Sequence, residues 1–283
     1  MAKPERNREV LKAKSVLAFR LLALILIGVA IYKPYIKTQV AAPARDYLFI
    51  VDVSKSMAAE DSGQDSRLET AKKAITEVSK NARGKLALIL YAKEALTPSV
   101  FTDDYPAFSW IIKNWVNIES APGGGTDIYP PLKLVLSLIE NTRKNLGQKN
   151  WKPLTILFSD GGGFYQEDDE VKKIVKAINK NQMPILTVGL GDLTGAPIPI
   201  EKRGDETRFL EHNGNLVITA LDETALQEFT DSVKGSYLRL VAGQEKRLLK
   251  EIRAPELNVP VEKDVPIYYA PLLLSIMLFL VKF

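Results

Sequence analysis

Four short apolar runs constrain this chain more than any other feature: "YLFIVD" (47–52), "KLALILY" (85–91), "PLTILFSD" (153–160) and "PILTVGL" (184–190). They are too short for membrane helices, and they do not alternate polar with apolar. A strand reads this way when both of its faces are buried, as in the centre of a parallel sheet. Segments of helical period separate them. In "SRLETAKKAITEVSK", Leu68, Ala71, Ile75 and Val78 recur at helical spacing behind the capping pair Ser66 and Glu69. Helices are also expected over 105–116, over 128–146 with prolines in the first turn, over the "EDDEVKKIVKAINKNQ" segment and over "DETALQEFTDSV". "ALTPSVF" (95–101) reads as an edge strand, Asn213-Gly214 as a hairpin turn and "GSYLRL" as the last strand. Strand alternating with helix predicts an α/β fold with a doubly wound, mostly parallel sheet from about residue 46 to 240.

The two ends differ from this middle. Val16 to Tyr32 is apolar except for Arg20, and Lys3, Arg6, Arg8, Lys12 and Lys14 precede it. Seventeen helical residues cover about 25 Å, so the run reads as a transmembrane anchor with its basic flank in the cytoplasm. The small residues Ala42–Ala44 lie too far beyond it for a signal-peptide cleavage site. Val265 to Val281 is a second apolar run of similar length, with Tyr268 and Tyr269 at its start, and is expected to be a second span. The expected organisation is a cytoplasmic N-terminus (1–15), a span (16–32), a linker (33–45), the α/β domain (46–240), a juxtamembrane tail (241–264) and a second span (265–281). The domain then lies outside the cytoplasm, in the periplasm of a two-membraned bacterium.

Composition narrows the chemistry. The chain has no cysteine and one histidine, His212, so thiolate chemistry, Cys-type zinc and multi-histidine metal sites are excluded within it. A net charge of +4 without a basic stripe gives no reason to expect nucleic acid. "GGGT" lacks the lysine of a phosphate loop, Gly189-x-Gly191 does not continue into G-x-G-x-x-G, and Ser159 lacks the G-x-S-x-G frame. What remains is oxygen. Asp52, Ser54 and Ser56 crowd the end of the first strand, Thr126 and Asp127 follow three glycines, and Asp160 ends a strand in "FSDGGG". The first three residues could cap a helix, but the next helix is expected only near Ser66, too far on. Thr126 and Asp127 could cap the helix at Ile128. In doubly wound sheets such loops meet at the carboxyl ends of the strands, and hydroxyls with carboxylates suit a hard cation such as Mg²⁺.

Asp52-Val-Ser54-Lys-Ser56, Thr126 in Gly-Gly-Thr-Asp and Asp160 in Ser-Asp-Gly together resemble the metal-ion-dependent adhesion site of a von Willebrand factor A domain. The resemblance covers about residues 46–240. It implies that Ser54, Ser56 and Thr126 bind Mg²⁺ (or Mn²⁺ or Ca²⁺) directly, and that Asp52 and Asp160 often act through water. It also implies that an Asp or Glu of a protein partner completes the shell. A von Willebrand A domain between membrane helices, with "TVGLGDLTGAPIPI" and "LDETALQEF", is similar to the bacterial aerotolerance (Bat) type. That likeness implies an inner-membrane, non-enzymatic protein-binding module, with other von Willebrand A membrane proteins and a MoxR-type ATPase as partners. The alternatives it leaves open are an assembly scaffold acting through its membrane helices and tail, and an accessory factor for maturing a periplasmic metalloenzyme such as methanol dehydrogenase.

Overall fold

The computed structural model describes residues 3–40, 45–61, 65–164, 169–204, 206–252 and 261–280. The stretch 42–44, the acids Glu167 and Asp168, and the 253–260 portion of the expected tail lie outside the described residues. The chain forms two compact units, Met1–Ala41 with Pro260–Phe283, and Ala42–Val259.

In chain order the helices are α1 (Lys3–Ile31), α2 (Arg67–Asn81), α3 (Tyr105–Asn114), α4 (Tyr129–Leu146), α5 (Asp169–Lys180), α6 (Glu223–Ser232), α7 (Glu245–Ile252) and α8 (Tyr269–Leu280). The longer strands are β1 (Tyr35–Val40), β2 (Tyr47–Asp52), β3 (Leu86–Tyr91), β4 (Ala95–Thr102), β5 (Leu154–Ser159) and β6 (Ile185–Leu190). Short strands follow: β7 (Ala196–Pro197), β8 (Pro199–Arg203), β9 (Glu206–Phe209), β10 (Glu211–His212), β11 (Asn215–Leu216) and β12 (Ile218–Thr219), before β13 (Ser236–Leu240) and β14 (Val261–Pro266).

In the larger unit six strands form one sheet in the order β13-β6-β5-β2-β3-β4. All neighbours are parallel except β4, which returns antiparallel along β3 as the edge. The unbroken apolar runs follow from this placement. Phe49 and Val51 of β2 enter one core with Ile75 of α2, Phe108 of α3 and Leu248 of α7. Leu48 and Ile50 enter the core on the other face, with Val135 of α4, Ile178 of α5 and Phe229 of α6. From Leu48 on, each residue of the strand therefore leaves water, and each face needs an apolar side chain. Ser66 caps α2 as its sequence suggests, accepting from the Glu69 amide at 3.2 Å, whereas the Glu69 carboxylate pairs with Lys72. Asn213 and Gly214, both with positive φ (52° and 78°), turn β10 into β11.

The structure revises the ends of this unit. Residues 245–252, read from sequence as tail, form α7, and its Leu248 and Ile252 are buried in the sheet core. Spaced one helical turn apart, these two form an apolar stripe that seats the segment on the domain.

In the smaller unit, part of the expected linker forms β1 and pairs antiparallel with β14, Tyr35 opposite Pro266. This pairing draws residues 265 and 266 out of the expected second span. The remaining helix α8 has 12 residues, about 18 Å long and shorter than a hydrocarbon core of about 30 Å. Helix α1 reaches back through the basic segment to Lys3, and its stretch Lys14–Ile31 has a mean hydropathy of 2.2. Among the described residues it alone is long and apolar enough to cross a membrane. Leu17, Leu21, Ile25 and Ile31 point outward from it, whereas Ala23 and Ala30 of α1 and Ser275 of α8 are buried where the helices pack. Small residues at the contact and large apolar ones outside are the pattern of helices associating in lipid.

Candidate functional site

Strand order reverses around β2: the chain goes from β2 to β3 on one side and reaches β5 on the other. The carboxyl ends of β2 and β5 therefore flank the switch point, where a doubly wound sheet leaves a crevice. Asp52 is the last residue of β2 and is fully buried. Its Oδ1 accepts from the Ser54 amide at 2.9 Å, folding the loop back over the strand end, and its Oδ2 accepts from the Ser159 hydroxyl of β5 at 3.1 Å. A 3₁₀ turn, Lys55–Ala58, starts directly after Ser54, much sooner than the helix at Ser66. Ser54 is thus at a cap position, but its side chain makes no capping bond. Its hydroxyl lies 3.1 Å from that of Ser56 instead.

The second and third loops meet in the same way. Asp127 Oδ1 accepts from the Tyr129 amide at 2.9 Å in a turn just before α4, whose N-cap is Ile128 without a side-chain capping bond, so neither Thr126 nor Asp127 stands at the cap position. Asp160 follows β5 at 2% exposure. Its Oδ1 accepts from the Gly162 amide at 3.2 Å. A Cβ placed on Gly162 would lie 3.4 Å from Asp160 Oδ1 and 3.6 Å from Thr126 Oγ1, so both oxygens border one small space. Gly163 is held tightly there, since a Cβ on it would come within 2.4 Å of the Thr126 carbonyl. Ser159 joins the halves, donating to Asp52 and accepting from the Gly161 amide at 3.1 Å. The structure thus gathers Asp52, Ser54, Ser56, Thr126 and Asp160 at one end of the sheet.

The electrostatics are uneven. Burial, and after it the charge of Asp160, push the Asp52 carboxyl up to about 7, against the hydrogen bonds from Ser54 and Ser159. Asp160 has a cationic neighbour: Arg67 Nη1 donates to its Oδ2 at 2.8 Å. Two buried carboxylates and three hydroxyls, with no nitrogen or sulfur donor, form a set suited to a hard cation. No cluster of three or more His, Cys, Asp or Glu exists among the described residues, so a cation here would depend on the hydroxyls.

Sequence reasoning missed Arg67, Asp61 and Ser159. Arg67 is the first residue of α2, where the helix dipole disfavours a cation. A base in that position is a sign that an acid is needed nearby, and here two acids supply the reason. Of the acids at the start of α5, Glu170 accepts from the Tyr129 hydroxyl at 2.9 Å and pairs with Lys173 on the surface.

Residues 47–162 match the von Willebrand factor type A domain family, a range that contains all five residues. No curated protein matches the chain. Among solved structures, an aerotolerance-related membrane protein of Bacteroides fragilis is 26% identical, with a TM-score of 0.61 over 74% of this chain and 98% of that one. The BatB protein of Bacteroides thetaiotaomicron is also 26% identical, with a TM-score of 0.62 over 74% of this chain and 97% of that one. A von Willebrand factor type A structure from Catenulispora acidiphila, 12% identical with a TM-score of 0.50 over 77% of this chain and 43% of that one, shares the fold. The apolar α1 and the likeness to a membrane protein together point to membrane anchoring. Its mostly parallel sheet, the residues at its rim and these matches show a von Willebrand factor type A domain over residues 47–162, on a fold shared with the Bat-type, aerotolerance-related membrane proteins it resembles.

Proposed function

We propose that this protein is a membrane-anchored, non-enzymatic binding module whose grip on a protein partner depends on a divalent cation. The observation that carries the reading is the meeting of Ser54, Ser56 and Thr126 with the buried Asp52 and Asp160 at the switch point of the sheet. The three hydroxyls would hold Mg²⁺ (or Mn²⁺ or Ca²⁺), and the two carboxylates would supply negative charge directly or through water. When bound, the ion supplies a positive charge that an Asp or Glu of the partner can meet, a contact strengthened by the poorly solvated surroundings. The chain's own groups prepare this: Ser159 and the Ser54 amide fix Asp52, and the Gly162 amide fixes Asp160.

In this reading α1 holds the domain on the outer side of a bacterial inner membrane, because its basic end stays in the cytoplasm. Partners there include other von Willebrand A membrane proteins that work with a MoxR-type ATPase, in assembly, maturation or stress tolerance. The test is capture of crosslinked partners by the full chain in Mg²⁺, in EDTA and with Asp52→Ala. Binding that survives both EDTA and the substitution rejects metal dependence. It leaves the scaffold reading, for which the paired β1 and β14 and the packed α1 and α8 offer a surface.

A further inference from the structure

The most unusual group near the site is Arg67, whose side chain is 1% exposed. A guanidinium has five N–H donors, and each has an acceptor here. Nε and Nη2 grip both oxygens of Asp61, at 2.8 and 2.9 Å. Nη1 donates to Asp160 Oδ2 at 2.8 Å and to Thr219 Oγ1 at 3.4 Å, and Nη2 donates also to the Thr219 carbonyl at 2.8 Å. Asp61 is anchored in turn by the Asp192 amide at 3.0 Å. The backbone makes room for the fork at Gly191, where φ is +123° and a Cβ would lie 2.7 Å from Arg67 Nε. A cation buried this completely, with all of its donors engaged, cannot swing aside without breaking several charge-assisted bonds.

Arg67 therefore decides how Asp160 can be used. Oδ2 is engaged by the guanidinium, and Oδ1, which also accepts from the Gly162 amide, borders the space shared with Thr126. Mg²⁺ takes about six oxygens near 2.0–2.1 Å and keeps water in several places, whereas Ca²⁺ takes six to eight at about 2.3–2.6 Å and readily accepts both oxygens of one carboxylate. A carboxylate with one oxygen committed, and half its charge answered from behind, suits the first ion better than the second. We propose that Arg67 is a positioning residue that biases the site toward Mg²⁺ over Ca²⁺ by engaging Oδ2 of Asp160 and leaving Oδ1 as the oxygen turned to the space beside Thr126. The proposal rests on the metal reading of the site given above.

The experiment is calorimetric titration of the full chain in detergent with Mg²⁺ and, separately, with Ca²⁺, for wild type, Arg67→Met and Arg67→Lys. Outer residues that orient ligands commonly change metal affinity by about 10–100-fold, so the ratio of Mg²⁺ to Ca²⁺ affinity should fall by about tenfold in Arg67→Met. It should fall in Arg67→Lys as well, because an ammonium cannot hold Asp61 with both its oxygens and Asp160 at once. A residue that only stitched loops together would lower stability and leave this ratio alone. If Arg67→Met does not fold, Arg67→Lys decides. An unchanged ratio in the folded variants, with wild type still binding Mg²⁺ saturably, overturns the role of Arg67 and spares the metal site. A wild type that binds neither ion overturns the metal site and this role with it.

Discussion

Asp52 and Asp160 stand at the ends of neighbouring strands and are almost equally buried, at 0% and 2% exposure, yet their surroundings differ in kind. Asp160 faces the guanidinium of Arg67 and the amide of Gly162. Asp52 faces an amide and a hydroxyl, and its carboxyl is pushed up to about 7 by burial and by Asp160. One carboxylate has its countercharge built into the chain; the other has only dipoles. Burial by itself therefore does not say whether a charge is structural or is held ready for something from outside, and the partners decide it. The comparison assigns Asp160 a double duty, in stability and in the site, and Asp52 a duty in the site alone.

The largest effect should come from removing the built-in countercharge. Arg67→Met strands Asp160 and Asp61 in a poorly solvated place, and breaking a buried ion pair in this way costs about 3–5 kcal/mol, readable by urea unfolding in EDTA. Asp160→Asn removes a charge that Arg67 uses and should cost about 1–3 kcal/mol in the same assay. Asp52→Asn keeps an acceptor for the Ser54 amide and removes a buried charge but turns an amide NH₂ toward the Ser159 hydroxyl, so it should cost about 1 kcal/mol, less than Asp160→Asn. If Asp52→Asn proves as damaging as Asp160→Asn, the contrast between the two is broken. The smallest effect on stability is expected for Gly162→Ala. Its Cβ meets only ordinary contacts at 3.4 and 3.6 Å, so the half-buried position should take the methyl at a cost of about 0.5 kcal/mol or less. Because that methyl borders Asp160 Oδ1 and Thr126 Oγ1, it should still weaken ion binding, which separates the site from the scaffold.

These elements also divide by what could be read in advance. The strands β2, β3, β5 and β6 were legible because helices cover both of their faces, which leaves an unbroken apolar run in the sequence. The five candidate residues stood out as small oxygen donors, four of them at or just after the ends of β2 and β5 and Thr126 behind three glycines before α4. Arg67 was not, since its meaning depends on Asp160, 93 positions away, and no local pattern encodes that distance. The pairing of β1 with β14 was hidden for the same reason, because its two strands come from opposite ends of the chain. Helix α7 was within reach: Leu248 and Ile252 lie one turn apart inside the segment read as a juxtamembrane tail. Local periodicity announces an element, and long-range partners decide where it docks.

The central claim is that the hydroxyls of three loops act as one cation site. The most direct measurement is a calorimetric Mg²⁺ titration of the full chain beside Ser56→Ala and Thr126→Ala, which change two loops far apart in sequence and leave both carboxylates in place. The account predicts one saturable Mg²⁺ site in the wild type and a loss of affinity in each variant, with folding unchanged. Absence of saturable binding to the wild type, or wild-type affinity in both variants, would contradict it.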